Sequence, residues 1–228
     1  MIHYHGTPIT PNTQLATMAG KNFCVSYARP DNLKTCLAIA QSIMFDNGAY
    51  SIFTGAVKAK DEPFHIWIEQ YLAHPHWAVI PDQIDGSVED NIALINEWHH
   101  QDSLSAPVWH LNEPIEHLLF LADNWGRVCF GSSGEYWEIG SVAWCFRVDK
   151  AFNALAKRFN PLPWIHMMRG LSLAGQHWPF ASADSTSVAR HCGDTNRRNR
   201  SAGDMAVEID SRQCPINWQP RLEQTDLL

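Results

Sequence analysis

The stretch "WAVIPDQIDGSVEDNIALINEWHH", residues 77–100, reads in two halves. The first, Trp77 to Asp82, is a short apolar run containing Val79 and Ile80 that stops at a proline and an acid, as a buried strand does. The second carries apolar residues at 92, 94, 95 and 98, the spacing of one helix face. Glu89 and Asp90 open it, where the positive end of the helix dipole favours acids. One strand followed by one helix is a βα unit, and the fold depends on how often the chain repeats it.

The unit recurs roughly every 20 to 30 residues along most of the chain. Further strand candidates are 23–28, 42–48, 106–111, 127–133, 164–170 and 180–185. Helical spacing also appears in "EPFHIWIEQYLAHP" and "EPIEHLLFLADNW", which open with Glu62 and Glu113. Six or seven such units imply a mostly parallel sheet, either a closed barrel or an open doubly wound sheet. No G-x-G-x-x-G follows the first strand, which weakens the dinucleotide-binding version. The expectation is an α/β fold, a compact (β/α)8 TIM-like barrel forming one domain over 1–228, with 191–228 an irregular basic loop and tail.

Composition narrows the class. With 228 residues, 45% hydrophobic and 18% charged, the chain can bury one substantial core. No apolar run is long enough for a membrane span and the N-terminus lacks a signal-peptide pattern, so a cytoplasmic protein with no membrane partner is expected. Six cysteines without CxxC pairs read as buried free thiols. Trp67, Trp98 and Trp125 read as packing residues, and His74, His76, His99 and His100 as solvated turn residues. The net charge of −7 argues against whole-surface attraction to nucleic acid. Arg190, Arg197, Arg198 and Arg200 nevertheless cluster in a Gly/Ser/Asn-rich stretch, giving either a phosphate contact or a solvated loop.

In a parallel barrel the active site gathers at the carboxyl ends of the strands. Those ends carry Asp46, Asp82 with Asp85, His110, Ser132 and Ser133 with Glu135, His166 and Asp184. Any one acid could cap the following helix. Several on different strands suggest a shared site, since carboxylates are rarely buried unless paired or used. Two carboxylates at one carbon suit glycosidic exchange: one attacks the anomeric carbon while the other protonates the departing group. The small neighbours Ala181, Ser182, Ala183 and Ser185 leave room around Asp184.

Five segments together resemble a known family. "FDNGAYS" (45–51) resembles the D-S-G-G-[FY]-Q motif of queuine and archaeosine tRNA-guanine transglycosylases, and "ASADSTS" (181–187) resembles their nucleophile segment. "WAVIPDQID" is similar to the strand that reads the guanine edge, "CFGSSGE" to the G-G-L-x-x-G-E loop and "IHMMRGL" to H-L-M-G-V-G. The resemblance covers roughly residues 23–190. It implies a pentosyltransferase in which Asp184 is the nucleophile and Asp46 the general acid/base. It further implies that Asp82, with Asp85 as second choice, reads the guanine edge, and that Tyr50 and Met168 sandwich the base. Gly131, Ser132 and Ser133 match the loop whose backbone amides contact the base carbonyl, and His110 stands where the family has Gln.

The departures point to a subgroup. The family's C-x-C-x-x-C zinc motif is missing, and His191, Cys192 and Cys214 are the candidate ligands left in that region, so no cofactor is required and a structural zinc is not expected. The compact length is most similar to phage and bacterial DNA transglycosylases, which replace guanine in DNA by a 7-deazaguanine such as 7-cyano-7-deazaguanine. DNA is therefore the expected partner, with tRNA the alternative. Two rival readings stand beside these. His3 and His5 resemble the H-x-H of metal-dependent amidohydrolase barrels, which would add His110, His166 and Asp184. A non-catalytic nucleic-acid or base-binding module would show the same acids.

Overall fold

A computed structural model describes residues 1–58, 62–192 and 200–220, and every strand pairing in it is parallel. In chain order the elements are β1 (Ile2–Gly6), α1 (Asn12–Ala16), β2 (Asn22–Ser26), α2 (Leu33–Ile39), β3 (Ser42–Asp46), α3 (Ala49–Phe53), α4 (Phe64–Glu69), β4 (Trp77–Val79) and α5 (Val88–Asn96). They continue with β5 (Ser105–Ala106), β6 (Val108–His110), α6 (Ile115–Asn124), β7 (Arg127–Gly131), α7 (Val142–Arg158), β8 (Trp164–Met167), β9 (Ser182–Ser185), α8 (Ser187–His191) and α9 (Ala202–Asp210).

The strand order, β5-β4-β3-β2-β1-β9-β8-β7-β6, has its two ends adjacent in sequence, separated only by Pro107. Ile80 N–H donates to Ala106 O at 2.9 Å on one side, and Cys129 N–H donates to Pro107 O at 2.9 Å on the other. A sheet whose opposite edges meet at one short segment must curl round on itself. The nine strands are therefore nearly closed into a barrel.

Period-2 alternation along each strand divides the core into an interior and two outer layers. Tyr4, Cys24, Met44, Trp77, Val79, Ala106, Val108 and Cys129 point inward and fill the barrel. Trp77 Nε1–H donates to Tyr4 Oη at 2.9 Å, and the Trp77 and His166 rings meet edge to face at 5.3 Å, so the lumen is packed rather than open. The alternate residues face out. Phe23, Val25, Ile43 and Phe45 pack under α2, α4 and α9, while Trp109, Phe130, Ile165 and Met167 pack under α6 and α7. Burial on both faces is why the strands read as continuous apolar runs. Each fully buried Trp or Phe in these layers contributes on the order of 2–3 kcal/mol.

Three expectations are corrected. The chain opens on a strand absent from the sequence candidates, β1, which ends before the prolines of "GTPITP". Tyr4 takes the inward position on it, so His3 and His5 face outward: His3 Nε2 bonds Arg212 O at 2.9 Å and His5 Nε2 bonds Asp210 Oδ1 at 3.0 Å. The pair cannot share a metal inside the barrel. Nor is the segment after 191 irregular throughout, because α9 starts from a capping box between Ser201 and Asp204 and packs on α1, α8 and β1. The third correction concerns the turn histidines. His76 Nδ1 accepts from Ile43 N–H at 3.1 Å, and the His100 ring packs on Trp98, so neither is simply solvated.

The described cysteines are free thiols, four of them buried, and Trp67 and Trp98 are packing residues as expected. Among the described residues no helix is long and apolar enough to cross a membrane.

Candidate active site

Several inward-pointing positions have a successor two residues on, at or just past the carboxyl end of the same strand. Following Cys24, Met44, Val108, Cys129, His166 and Ser182 by two gives Ser26, Asp46, His110, Gly131, Met168 and Asp184. These residues share the inner rim at one end of the barrel, as the strand-end rule for parallel barrels requires.

Asp184 is held from two sides. Its Oδ1 accepts the backbone N–H of Arg169 at 2.8 Å and lies 3.3 Å from His166 Nε2. The imidazole is oriented from behind. The Trp164 indole N–H can only donate, so Ser182 Oγ accepts from it at 2.8 Å, and the same oxygen lies 2.8 Å from His166 Nδ1. A carboxylate oxygen accepts, so the geometry favours the tautomer that turns Nε2–H toward Asp184. His166 is fully buried and Asp184 is 14% exposed, so one carboxylate edge remains open at the mouth.

Asp46 ends β3, its Oδ2 accepting from Gly48 N–H at 3.2 Å. Burial of its carboxyl, reinforced by the like charges of Asp184 and Asp82, outweighs the hydrogen bonds from Ser26 and Gly48 and pushes its pKa up to about 6. Asp46 and Asp184 thus feel one another across the rim, although they stand 138 positions apart in the chain. Cys24 and Cys129 lie just below them. Burial and then the charges of these acids push both thiols far up, leaving them protonated and inert.

Asp82 follows β4, its side chain 8% exposed. Its Oδ1 accepts from Asn47 Nδ2 at 2.8 Å and its Oδ2 lies 3.0 Å from His110 Nε2. Burial disfavours an imidazolium at His110, but Asp82, Glu113 and Asp85 together outweigh it and raise the His110 pKa. The contact of His110 Nε2 with Asp82 falls short of an aligned hydrogen bond, and among the described residues His110 Nδ1 has no hydrogen-bond partner. That nitrogen lies against Gly131, where a Cβ would come within 3.0 Å of it. Gly131 is what leaves the histidine room. Below it, buried Glu113 accepts from Asn91, from His117 Nδ1 at 2.9 Å and from the His110 backbone N–H at 3.2 Å.

The remaining predicted residues divide. Met168 packs at the rim of the interior cluster, and Tyr50, on α3, is 41% exposed at the mouth. Asp85 is exposed in the β4–α5 turn, acting on His110 only by its charge. Ser132 and Ser133 are buried, their hydroxyls engaged with Trp144 Nε1 at 3.0 Å and Asn112 Oδ1 at 2.5 Å. A cleft of about 700 Å³ opens outward from Asn47 and Asp82 over Tyr27, Phe64 and Trp98, adjoining the acids without containing Asp46 or Asp184.

The described residues cover only part of the expected basic patch. Arg200 Nη1 is bound to Glu208 Oε2 at 2.6 Å, and Arg212 takes the other oxygen of that carboxylate, so the Arg200 charge is already paired. Arg190 is exposed on α8, and Arg197 and Arg198 lie outside the described residues. Cys192 bonds toward Thr10 O while Cys214 is buried in the opposite outer cluster, so with His191 they make no common site. Among the described residues no group of three or more His, Cys, Asp or Glu is placed to hold a metal ion.

Arg169, Trp137, Asn47 and the Trp164–Ser182 pair were not singled out by the sequence. Asn47 and Ser182 adjoin predicted acids and could have been found by asking what would orient them. Arg169 and Trp137 carry no such signal. Compared with protein-family models, curated proteins and solved structures, the chain gives no match.

Proposed function

We propose that β5 and β6 are one strand bent at Pro107, which makes the barrel a compact (β/α)8 arrangement, and that its rim is the active site of a DNA-guanine transglycosylase. The observation that carries this reading is the pair Asp46 and Asp184. They come from strands on different parts of the wall, face one inner rim, and differ in environment: one has its proton affinity raised by burial and by the other's charge. A carboxyl group with raised proton affinity beside a second carboxyl group is what a double displacement at an anomeric carbon uses.

In the first half, Asp184 attacks C1′ of the target nucleotide. The C1′–N9 bond breaks, an ester to Asp184 forms, and the leaving guanine takes the Asp46 proton. In the second half, Asp46 removes the N9 proton of an incoming 7-deazaguanine, whose nitrogen displaces Asp184 from C1′. Guanine leaves, the deazaguanine stays, and both acids return to their starting states. His166 and the Arg169 amide keep the Asp184 carboxylate aimed. Asp82 and His110 supply an acceptor and a donor for the edge of a flat heterocycle.

The preference for DNA rests on the resemblance of the five segments, and the exchange assay tests it. DNA and tRNA carrying labelled guanine are each incubated with the protein and free 7-cyano-7-deazaguanine. Label is expected to leave DNA over many turnovers only when the free base is present, with no more than one equivalent per protein released without it. Release from tRNA alone reverses the substrate, and release from neither removes the reading.

A further inference from the structure

Among the described residues Arg169 is the one non-glycine residue with a left-handed backbone, at φ 59° and ψ 23°. A side chain there costs on the order of 1 kcal/mol relative to glycine. Its backbone N–H already does its work at Asp184, and glycine would supply that equally well. The strained choice therefore points to the side chain.

The guanidinium lies at the mouth, with Cζ 4.8 Å from the centre of the Tyr50 ring and 4.7 Å from that of Trp137. The two rings stack at 5.7 Å and 25°, and each residue remains 41% exposed. Among the described residues no carboxylate pairs with Arg169. The result is a cation against two half-exposed aromatic rings, beside a rim that carries Asp46 and Asp184.

We infer that Tyr50, Trp137 and Arg169 form a landing platform for single-stranded nucleic acid, on which an unpaired base stacks while Arg169 meets its phosphate. Flat faces hold any base, and a nearby cation fixes the backbone that runs past them. Without that cation the acids would repel a phosphate at the mouth. Duplex DNA offers no free base face to such a surface. The inference takes from the proposed function only that the partner is a nucleic-acid strand.

The test measures binding of a fluorescein-labelled single strand of about 12 nucleotides by anisotropy, in the Asp184→Asn background and without free base, so that no exchange enters. Trp137→Ala and Arg169→Gly are each expected to weaken binding about five- to a hundredfold with unchanged thermal melting. Arg169→Gly should also flatten the slope of log K against log salt by about 0.7, and Arg169→Lys should restore it. Wild-type affinity in both variants overturns the platform, as does tighter binding of a duplex than of the single strand. If exchange fails while these losses persist, the proposed function falls and the platform stands. If exchange proceeds and the variants bind normally, the reverse holds.

Discussion

His166 Nε2 lies 3.3 Å from Asp184 Oδ1, and the far nitrogen of the same ring is tied at 2.8 Å to Ser182 Oγ. An acid in a barrel rim is thereby held by a chain of donors that begins at the Trp164 indole. Such a chain fixes a tautomer as well as a position.

Ser182→Ala removes the link and leaves Trp164 Nε1–H and His166 Nδ1 without their partner. Urea unfolding should show a loss of about 1–3 kcal/mol. Single-turnover formation of the sugar adduct should slow by roughly tenfold, because the imidazole no longer presents its proton to Asp184 reliably. A stability loss with an unchanged rate would reduce the chain to a structural role.

Asp46→Asn tests the raised pKa. A carboxyl that holds its proton up to about pH 6 in the folded protein, against 3.8 ordinarily, favours the folded state most below about pH 4. That contribution is lost as pH rises through 6. The asparagine variant should therefore gain on wild type between pH 4 and 7 by on the order of 1–2 kcal/mol, the partial exposure at the mouth trimming the figure. Melting curves across that range check it, and a constant gap would remove the shift. For the proposed exchange, kcat/KM of the wild-type protein should fall with rising pH on a limb near 6, where Asp46 would lose the proton that reading has it deliver.

Glu113 is buried, and its carboxylate collects Asn91, His117 and the His110 amide. Glu113→Ala should cost about 3 kcal/mol in unfolding free energy, since it strands polar groups away from water. By loosening the end of β6 it should also weaken binding of a free base more than Ser182→Ala does. Denaturant midpoints and base titration by calorimetry separate the two effects.

Gly203→Ala probes the docking of α9. A Cβ there would come 2.3 Å from Thr17 O, a backbone atom that has no rotamer to escape into. The helix must shift, at a cost of about 2–3 kcal/mol. Melting temperature is the readout, and an unchanged value would mean that α9 does not pack on α1 as described.

Much of this arrangement is legible in the residues themselves. Buried parallel strands stop at recognisable punctuation, so the sequence alone marks Asp46, His110 and Asp184 as strand ends, and alternation puts them on one face. The losses have physical causes. Short β1 ends against two prolines and looks like a turn. The 17-residue α7 opens with valine and aromatic residues, and its helical face shows only once packing under Trp109 and Phe130 is known. The capping box of α9 lies in a polar stretch whose arginines draw attention first. Backbone conformation is harder still, because nothing in "HMMRGL" announces that Arg169 takes a left-handed turn with its side chain over Tyr50 and Trp137.

The central claim is that Asp184 forms a bond to a nucleotide sugar. The most direct measurement incubates the protein with single-stranded DNA in the absence of free deazaguanine, digests the products and maps any covalent adduct by mass spectrometry. The account predicts a deoxyribose-linked peptide modified at Asp184, lost in Asp184→Asn and released when a deazaguanine is added. An adduct on another residue, or none while exchange is under way, would contradict it.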